Sequence, residues 1–447
     1  MPLPKIVQSE LESKGIQFKV LATNTPFSFY QDATGLQIPL ENLARGIVVN
    51  SNEQSRMLVL RAADMLDFSA LTSTYGNTID IVHNFKSNHP DCDTESRIPI
   101  PGIQDMELVI DQALLGNDSV FIDAGVKGSY IQISGDDFRE LHSDSTLGNF
   151  SFSVDKLKHV DPFDDSDGNT LHSFTPKRMQ QRVEETLDLP AMPAIAEEVM
   201  RIRVDPRAGA TDLAKIVSKD PSLSAQVISW ASSPYYGYQG KIDSIETAIS
   251  RVLGFDLVLN LALGISVGKS LNVAPDGPLG LHAYWRQSVY TATLCEKLCG
   301  FIRSKDRPQR GLVYLSGLLH NFGQLLLGHL FPAQFYLINR YTEMNPHIPV
   351  SDIEHHLLDT SHLEVGAWLM ESWNMPEELI AAVKWHHKEV TEGKNAVYSN
   401  IVLIANRLLK RLDIGDSTQH ILPGQIMEML GLNEEDATNA LNLIVED

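Results

Sequence analysis

Residues 311–328 read GLVYLSGLLHNFGQLLLG. Leu312, Leu315, Leu318, Leu319 and Leu326 recur at three- and four-residue steps among few charges, the pattern of a helix buried on most of its surface. His320 and Asn321 fall in the middle of that run. An imidazole and a carboxamide inside an apolar helix cost free energy unless both find partners. Two readings follow: a polar pair hydrogen-bonded within a helical core, or what remains of a metal centre.

Working outward, the same helical texture extends from Met179 to the end of the chain. LPAMPAIAEEVMRI at 189–202 is an amphipathic run entered through prolines, and TDLAKIVSKDPSLSAQVISWASS at 211–233 predicts two short helices divided at Asp220-Pro221. In DSIETAISRVLG, Asp243 or Ser244 can cap a helix that Gly254 ends, and an apolar helix is predicted over Leu257–Val267. PGQIMEMLGL and NEEDATNALNLI, at 423–444, predict two closing helices, the second capped by Asn433 with acidic residues in its first turn. No strand alternation occurs beyond about residue 180, so residues 179–447 are expected to form an all-α bundle with a C-terminal helical extension. The tryptophans at 285, 368, 373 and 385 are expected in its core, and the turn SPYYG at 233–237 either covers that core or anchors a partner.

Residues 1–153 differ. Short runs rich in β-branched and aromatic residues at 16–21, 46–49, 57–60, 79–82, 107–110, 120–122 and 130–133 predict strands, with helical periodicity at 6–14 and around 62–71. This is a mixed α/β domain, which makes the chain α+β multidomain. Its expected pocket is the loop IPIPG at 98–102, where prolines fix the backbone and Gly102 permits close approach. Residues 154–178, which include DPFDDSDGNT, read as an acidic linker.

The 447 residues carry a formal net charge of -21, with 14 Lys and Arg against 25 Asp and Glu in residues 1–178 and 22 against 32 in the remainder. Neither half is basic, which argues against broad electrostatic binding of nucleic acid and leaves only a small local basic patch open. The three cysteines Cys92, Cys295 and Cys299, an amino terminus without an apolar signal core and the absence of a bilayer-length apolar run point to a cytoplasmic protein with no membrane partner. Cys295 and Cys299 lie one helical turn apart, a spacing that could share a metal, but their apolar helix makes them read as core. Neither a phosphate-cradling GxxxxGK[ST] loop nor a nucleophile elbow occurs.

LPAMP, SKDPSLSAQVISWASSPYYG, IDSIETAISRVLGFDLVLNLAL, GLLHNFGQLLL and HLEVGAWLMESWNMPEELIAAVKWHH follow one another in order. Over about residues 183–412 this half is similar to the HDOD family, the HD-related output domain of bacterial signalling proteins. The related HD phosphohydrolases hold divalent metal with a His, a His-Asp pair and a late Asp. The resemblance places those positions on Gln287, on His320 and Asn321, and on Asn406. One imidazole and both carboxylates are thus amides here, which are neutral and weaker ligands. His362, His386 and His387 remain, as extra histidines do in larger dinuclear relatives. His386 and His387 are neighbours on a predicted helix, so one of them is expected to point inward.

ARGIVVN, MLVLRAADMLDFSAL, IPIPGIQDMELVIDQALL and SVFIDAGVKGSYIQISGDDFREL make residues 1–153 resemble the YbaK/ProX type of aminoacyl-tRNA deacylase domain. That resemblance implies a pocket with a lysine where this chain has Arg45 and a Pro-Phe-Gly loop where it has Pro101-Gly102, with Asp111 nearby. Arginine keeps the charge but cannot present a compact ammonium.

The expected function is non-catalytic signal transduction through an unidentified signalling partner or small ligand, with no required cofactor. Two enzymatic alternatives stand beside it. One is aminoacyl-tRNA deacylation in the first half, which brings tRNA as a partner. The other is metal-dependent phosphohydrolysis of nucleotides or cyclic dinucleotides in the second, with a divalent metal at the histidines.

Overall fold

The computed structural model describes residues 3–445 except 52–53, 77–78, 83–84, 88, 155–156, 158–193, 232–239, 241, 243, 269–270, 304–307 and 374. Most of the acidic linker and the SPYYG turn lie outside the described residues. The chain forms two compact units: residues 1–158 with 344–348, and residues 159–343 with 349–447.

The first unit opens with α1 (Lys5–Ser13), β1 (Phe18–Ala22) and α2 (Phe29–Gly35). There follow β2 (Ala44–Ser51), β3 (Gln54–Arg61), β4 (Asp64–Leu66), α3 (Phe68–Tyr75), β5 (Ile79–Ile81), β6 (Glu107–Asp111), β7 (Ser119–Asp123), β8 (Ser129–Ser134), α4 (Gly135–Leu141), β9 (Thr146–Gly148) and β10 (Ser151–Ser153). A five-stranded mixed sheet runs β5-β2-β3-β6-β9, beside a three-stranded β1-β8-β7 sheet and a β10-β4 pair. The two-residue period of β3 sends Met57 and Val59 into one apolar cluster and Leu58 and Leu60 into another, so the large sheet is buried on both faces.

Every strand predicted from β-branched runs is present; β4, β9 and β10 were not legible. The helix expected over 62–71 is a correction: residues 64–66 form β4, paired with β10, and α3 starts after Asp67, whose carboxylate accepts from Ser69 N at 2.9 Å and Ala70 N at 3.1 Å. Long-range strand pairing overrides local periodicity there.

The second unit is helical throughout its described residues. Its elements are α5 (Ala194–Val204), α6 (Ala210–Val217), α7 (Pro221–Ala231), α8 (Ile245–Ala248), α9 (Phe255–Gly268), α10 (Leu281–Phe301), α11 (Arg310–Leu319), α12 (Phe322–Leu330) and α13 (Pro332–Met344). They continue with α14 (Val350–Leu358), α15 (His362–Ser372), α16 (Glu377–Trp385), α17 (Ala396–Lys410), α18 (Gly424–Leu430) and α19 (Glu434–Val445). Ser244 caps α8 by accepting from Thr247 N at 3.0 Å, and Asn433 accepts from Asp436 N at 2.7 Å to start α19, as their sequences suggest. The four tryptophans named above are half-buried rather than core.

The run 311–328 is not one helix. α11 ends at Leu319 and α12 begins at Phe322, so His320 and Asn321 occupy the junction. Their side chains can therefore leave the helical ladder and enter a common space. α12 crosses α15 so closely that a Cβ on Gly323 would lie 1.9 Å from the His362 carbonyl oxygen. Only glycine allows that approach, and it brings the His320-Asn321 junction to the start of α15.

Candidate functional site

Side chains from α10, the α11–α12 junction, α12 and the turn after α16 converge on one buried carboxylate, Asp416, in the loop after α17. Its side chain is 2 % exposed. Gln287 on α10 donates through Nε2 to Oδ1 at 2.6 Å. Asn321 Nδ2 and Gln324 Nε2, at the start of α12, donate to Oδ2 at 3.0 and 3.2 Å. His387 Nε2 lies 3.3 Å from Oδ2. The loop reaches this position through Gly415, whose φ of +91° is left-handed and whose added Cβ would stand 2.8 Å from Gln287 Nε2. Burial alone would raise the Asp416 pKa, but the neighbouring His387, His320 and His362 outweigh it and hold the carboxyl well below the usual range.

The imidazoles share a bonding pattern. His320 Nδ1 bonds the Gly317 carbonyl at 2.7 Å, His386 Nδ1 bonds the Val383 carbonyl at 2.9 Å, and His362 Nδ1 bonds Glu354 Oε2 at 2.6 Å. All three rings are fully buried. With Nδ1–H engaged, each ring turns Nε2 inward; that of His320 faces Gln287 Nε2 at 3.4 Å, while those of His362 and His386 have no hydrogen-bond partner. Burial pushes His320 down to about 4 and His386 well below its ordinary value. In His362 the same burial is outweighed by Glu354, and the net direction is up. Oxygen or nitrogen atoms of His362, His386, His387 and Asp416 all lie within 4.8 Å of one another.

Gln287, His320, Asn321, His362, His386 and His387 therefore meet around Asp416. Asn406 is engaged otherwise, its Oδ1 accepting from Thr291 Oγ1 at 3.1 Å. The expectation that one of His386 and His387 points inward is corrected: α16 ends at Trp385, both residues lie in the turn beyond it, and both reach the cluster. Asp416, Glu354 and Gln324 were missed. Asp416 lies ten residues beyond Asn406 in LDIGDST, which reads locally as a turn; its pair of aspartates around a glycine was the available signal.

In the first unit the four candidates do not assemble into one chemical group. Arg45, on β2, is 5 % exposed. Its guanidinium donates to the Met344 carbonyl at 2.7 Å, the Asp64 carbonyl at 3.0 Å and Asn345 Oδ1 at 2.8 Å, all within this unit. Asn345 Oδ1 also accepts from Leu66 N at 2.8 Å, and His347 stacks on Tyr30 with centroids 4.7 Å apart. Asp111 accepts from Ala113 N at 2.9 Å and Phe150 N at 3.0 Å, an anchoring role. Ile98 and Ile100 are buried in the core, leaving Pro101 half-buried and Gly102 exposed in a turn at φ +86°.

Residues 189–389 match the model of the HDOD domain. A crystal structure of a candidate signal transduction protein from Marinobacter aquaeolei VT8 is 30% identical and superposes with a TM-score of 0.84 over 100% of this chain and 97% of that one. The chain belongs to the HDOD family. An HDOD domain protein of unknown function from Geobacter sulfurreducens, 22% identical, shares the fold over 61% of this chain and 94% of its own, with a TM-score of 0.51. An uncharacterized protein of Treponema pallidum (strain Nichols) is 25% identical over 255 residues, 56% of this chain; the chain spans about half the length of this curated relative, 47%. No helix among the described residues of this HDOD protein is long and apolar enough to cross a membrane.

Proposed function

We propose that this HDOD protein is a non-catalytic signal-transduction protein that reads a small ligand or partner at the Asp416 cluster, and that its first half is a YbaK/ProX-like domain without deacylase activity. One observation carries the reading. Gln287 and Asn321, which the HD resemblance places at metal-ligand positions, turn their N–H groups toward a carboxylate. A metal ligand must present a lone pair; an N–H donor turned inward stabilises an anion instead. Where the HD resemblance puts acceptors around a cation, this chain has donors around an anion. In the first unit, Arg45 has its guanidinium committed to Met344, Asp64 and Asn345, which supports the absence of aminoacyl-ester chemistry there.

The test is turnover by the full-length chain loaded with Mn or Fe, on nucleotides and cyclic dinucleotides, beside release of amino acid from mischarged tRNA. Neither product is expected above a protein-free control. Metal-dependent hydrolysis abolished by His320→Ala overturns the first half of the reading, and tRNA deacylation abolished by Arg45→Ala overturns the second.

A further inference from the structure

We propose that Met344–Ile348 is a displaceable strap, docked in the first unit as an internal ligand where a small carboxylate would otherwise bind Arg45. The chain on both sides, 159–343 and 349–447, belongs to the second unit, yet these five residues belong to the first. They are bound there as a peptide would be. Met344 and Ile348 are 2 % exposed and Asn345 is fully buried. Met344 joins the apolar cluster of Ile47, Val49, Leu58 and Leu66 on β2, β3 and β4. His347 lies on the ring of Tyr30 in α2, with centroids 4.7 Å apart and planes within 16° of parallel. Pro346 alone is exposed, at the tip of a turn in which Ile348 N donates to the Asn345 carbonyl at 3.0 Å.

The donors around the strap define the ligand class. Arg45 Nη1 donates to the Met344 carbonyl at 2.7 Å and Nη2 to Asn345 Oδ1 at 2.8 Å, while Leu66 N donates to the same Oδ1 at 2.8 Å. Three donors thus converge on two oxygens, and both terminal nitrogens of one guanidinium take part, which is how arginine receives a carboxylate. The oxygens that the strap supplies are neutral. So is the Asp64 carbonyl that Nη2 also holds, because the Asp64 carboxylate pairs with Arg61 at 2.7 Å instead. The charge of Arg45, a residue 5 % exposed, is therefore hydrogen-bonded but not neutralised, which is costly in a buried site. Further groups stay unmet: Arg45 Nε, the Tyr30 hydroxyl and both ring nitrogens of His347 make no well-aligned hydrogen bond. A carboxylate carrying an unbranched apolar tail would neutralise Arg45 and fill the place of Met344, so it competes with the strap. The YbaK/ProX resemblance implies a lysine and an aminoacyl pocket here, and neither an anion nor a docked segment of the chain itself. The strap does not rest on the reading of the Asp416 cluster.

The experiment uses the full-length chain and N-acetylmethionine as the probe, with its neutral amide as the control. Calorimetric titration reads binding, and deuterium exchange of peptides covering 343–350 reads the strap. Saturating N-acetylmethionine should speed exchange across 343–350 and leave β3 and β6 unchanged, while the amide does neither. The double variant Asn345→Ala with His347→Ala, in which the strap is weakened, should bind N-acetylmethionine at least about tenfold tighter than wild type, since the competing segment is removed. Arg45→Gln should abolish binding, and Arg45→Lys, which keeps the charge, should bind weakly with unchanged circular dichroism. The proposal is overturned if the amide binds as tightly as the acid, if the double variant gains no affinity, or if exchange at 343–350 ignores the probe. Release of amino acid from mischarged tRNA is read separately, so a failed strap and a failed non-catalytic reading give different results.

Discussion

Asp416 and Arg45 are opposite charges that are each buried in a different unit, and each is tolerated because it is hydrogen-bonded locally, although Arg45 Nε is left without a partner. Arg45 satisfies two backbone carbonyls and the Asn345 side chain. Arg45→Met should lower the unfolding free energy by ~2–4 kcal/mol, because removal strands those acceptors. Arg45→Lys should recover only part, since an ammonium cannot reproduce the planar fork. Chemical denaturation monitored in the first unit checks this; a loss under ~0.5 kcal/mol for Arg45→Met would show that the contacts contribute nothing. Asn345→Ala should cost ~1–3 kcal/mol by the same measurement, as its Oδ1 serves both Arg45 and Leu66 N.

Elements, rather than residues, decide which side chains reach the Asp416 cluster. α12 and α15 touch backbone to backbone at Gly323, where a Cβ would lie 1.9 Å from the His362 carbonyl oxygen and 2.9 Å from Gly366 N. Gly323→Ala should therefore separate the two helices, at a cost above ~3 kcal/mol or with loss of soluble protein, whereas a cost within ~0.5 kcal/mol of wild type in thermal denaturation would contradict the packing. At this scale the helices and strands with clear periodicity were legible, because each buries a face that its own sequence marks. The break at His320-Asn321 was not: leucines repeat on both sides, and nothing local says that the ladder stops. The end of α16 before His386 was hidden in the same way, which led to one of two histidines being expected inward. Asp416 and Glu354 could not be found locally, since Gln287 lies 129 residues from Asp416 and only the fold joins them. Arg45 and Asn345, 300 residues apart, repeat the lesson in the first unit.

Over the whole molecule, the net charge of -21 agrees with a protein that does not track nucleic acid through a basic face. Acid should destabilise the first unit in a defined window. Burial first, then Lys14, lowers His142 to about 4, and burial first, then Arg45, lowers His347 to about 2. Both folded values lie below the unfolded value of about 6.5, so the unfolded chain binds more protons in between; this stability is fully present above pH ~6.5 and is lost as pH falls toward 4. For His142 the loss is on the order of 3 kcal/mol. Denaturation midpoints between pH 7 and 4.5 should fall, and His142→Gln should flatten part of the slope; an unchanged slope would show that His142 is not buried neutral.

Gln287 and Asn321 stand where the HD resemblance puts metal ligands, and both grip a carboxylate of the same chain. The most direct measurement is a double-mutant cycle between Gln287→Met and Asp416→Ala, by equilibrium unfolding of the metal-free protein. A favourable coupling of ~1–3 kcal/mol is predicted for a buried, charge-assisted hydrogen bond at 2.6 Å. A coupling indistinguishable from zero would mean that Asp416 does not sit among the amides, and the non-catalytic assignment of the cluster would lose the observation it rests on.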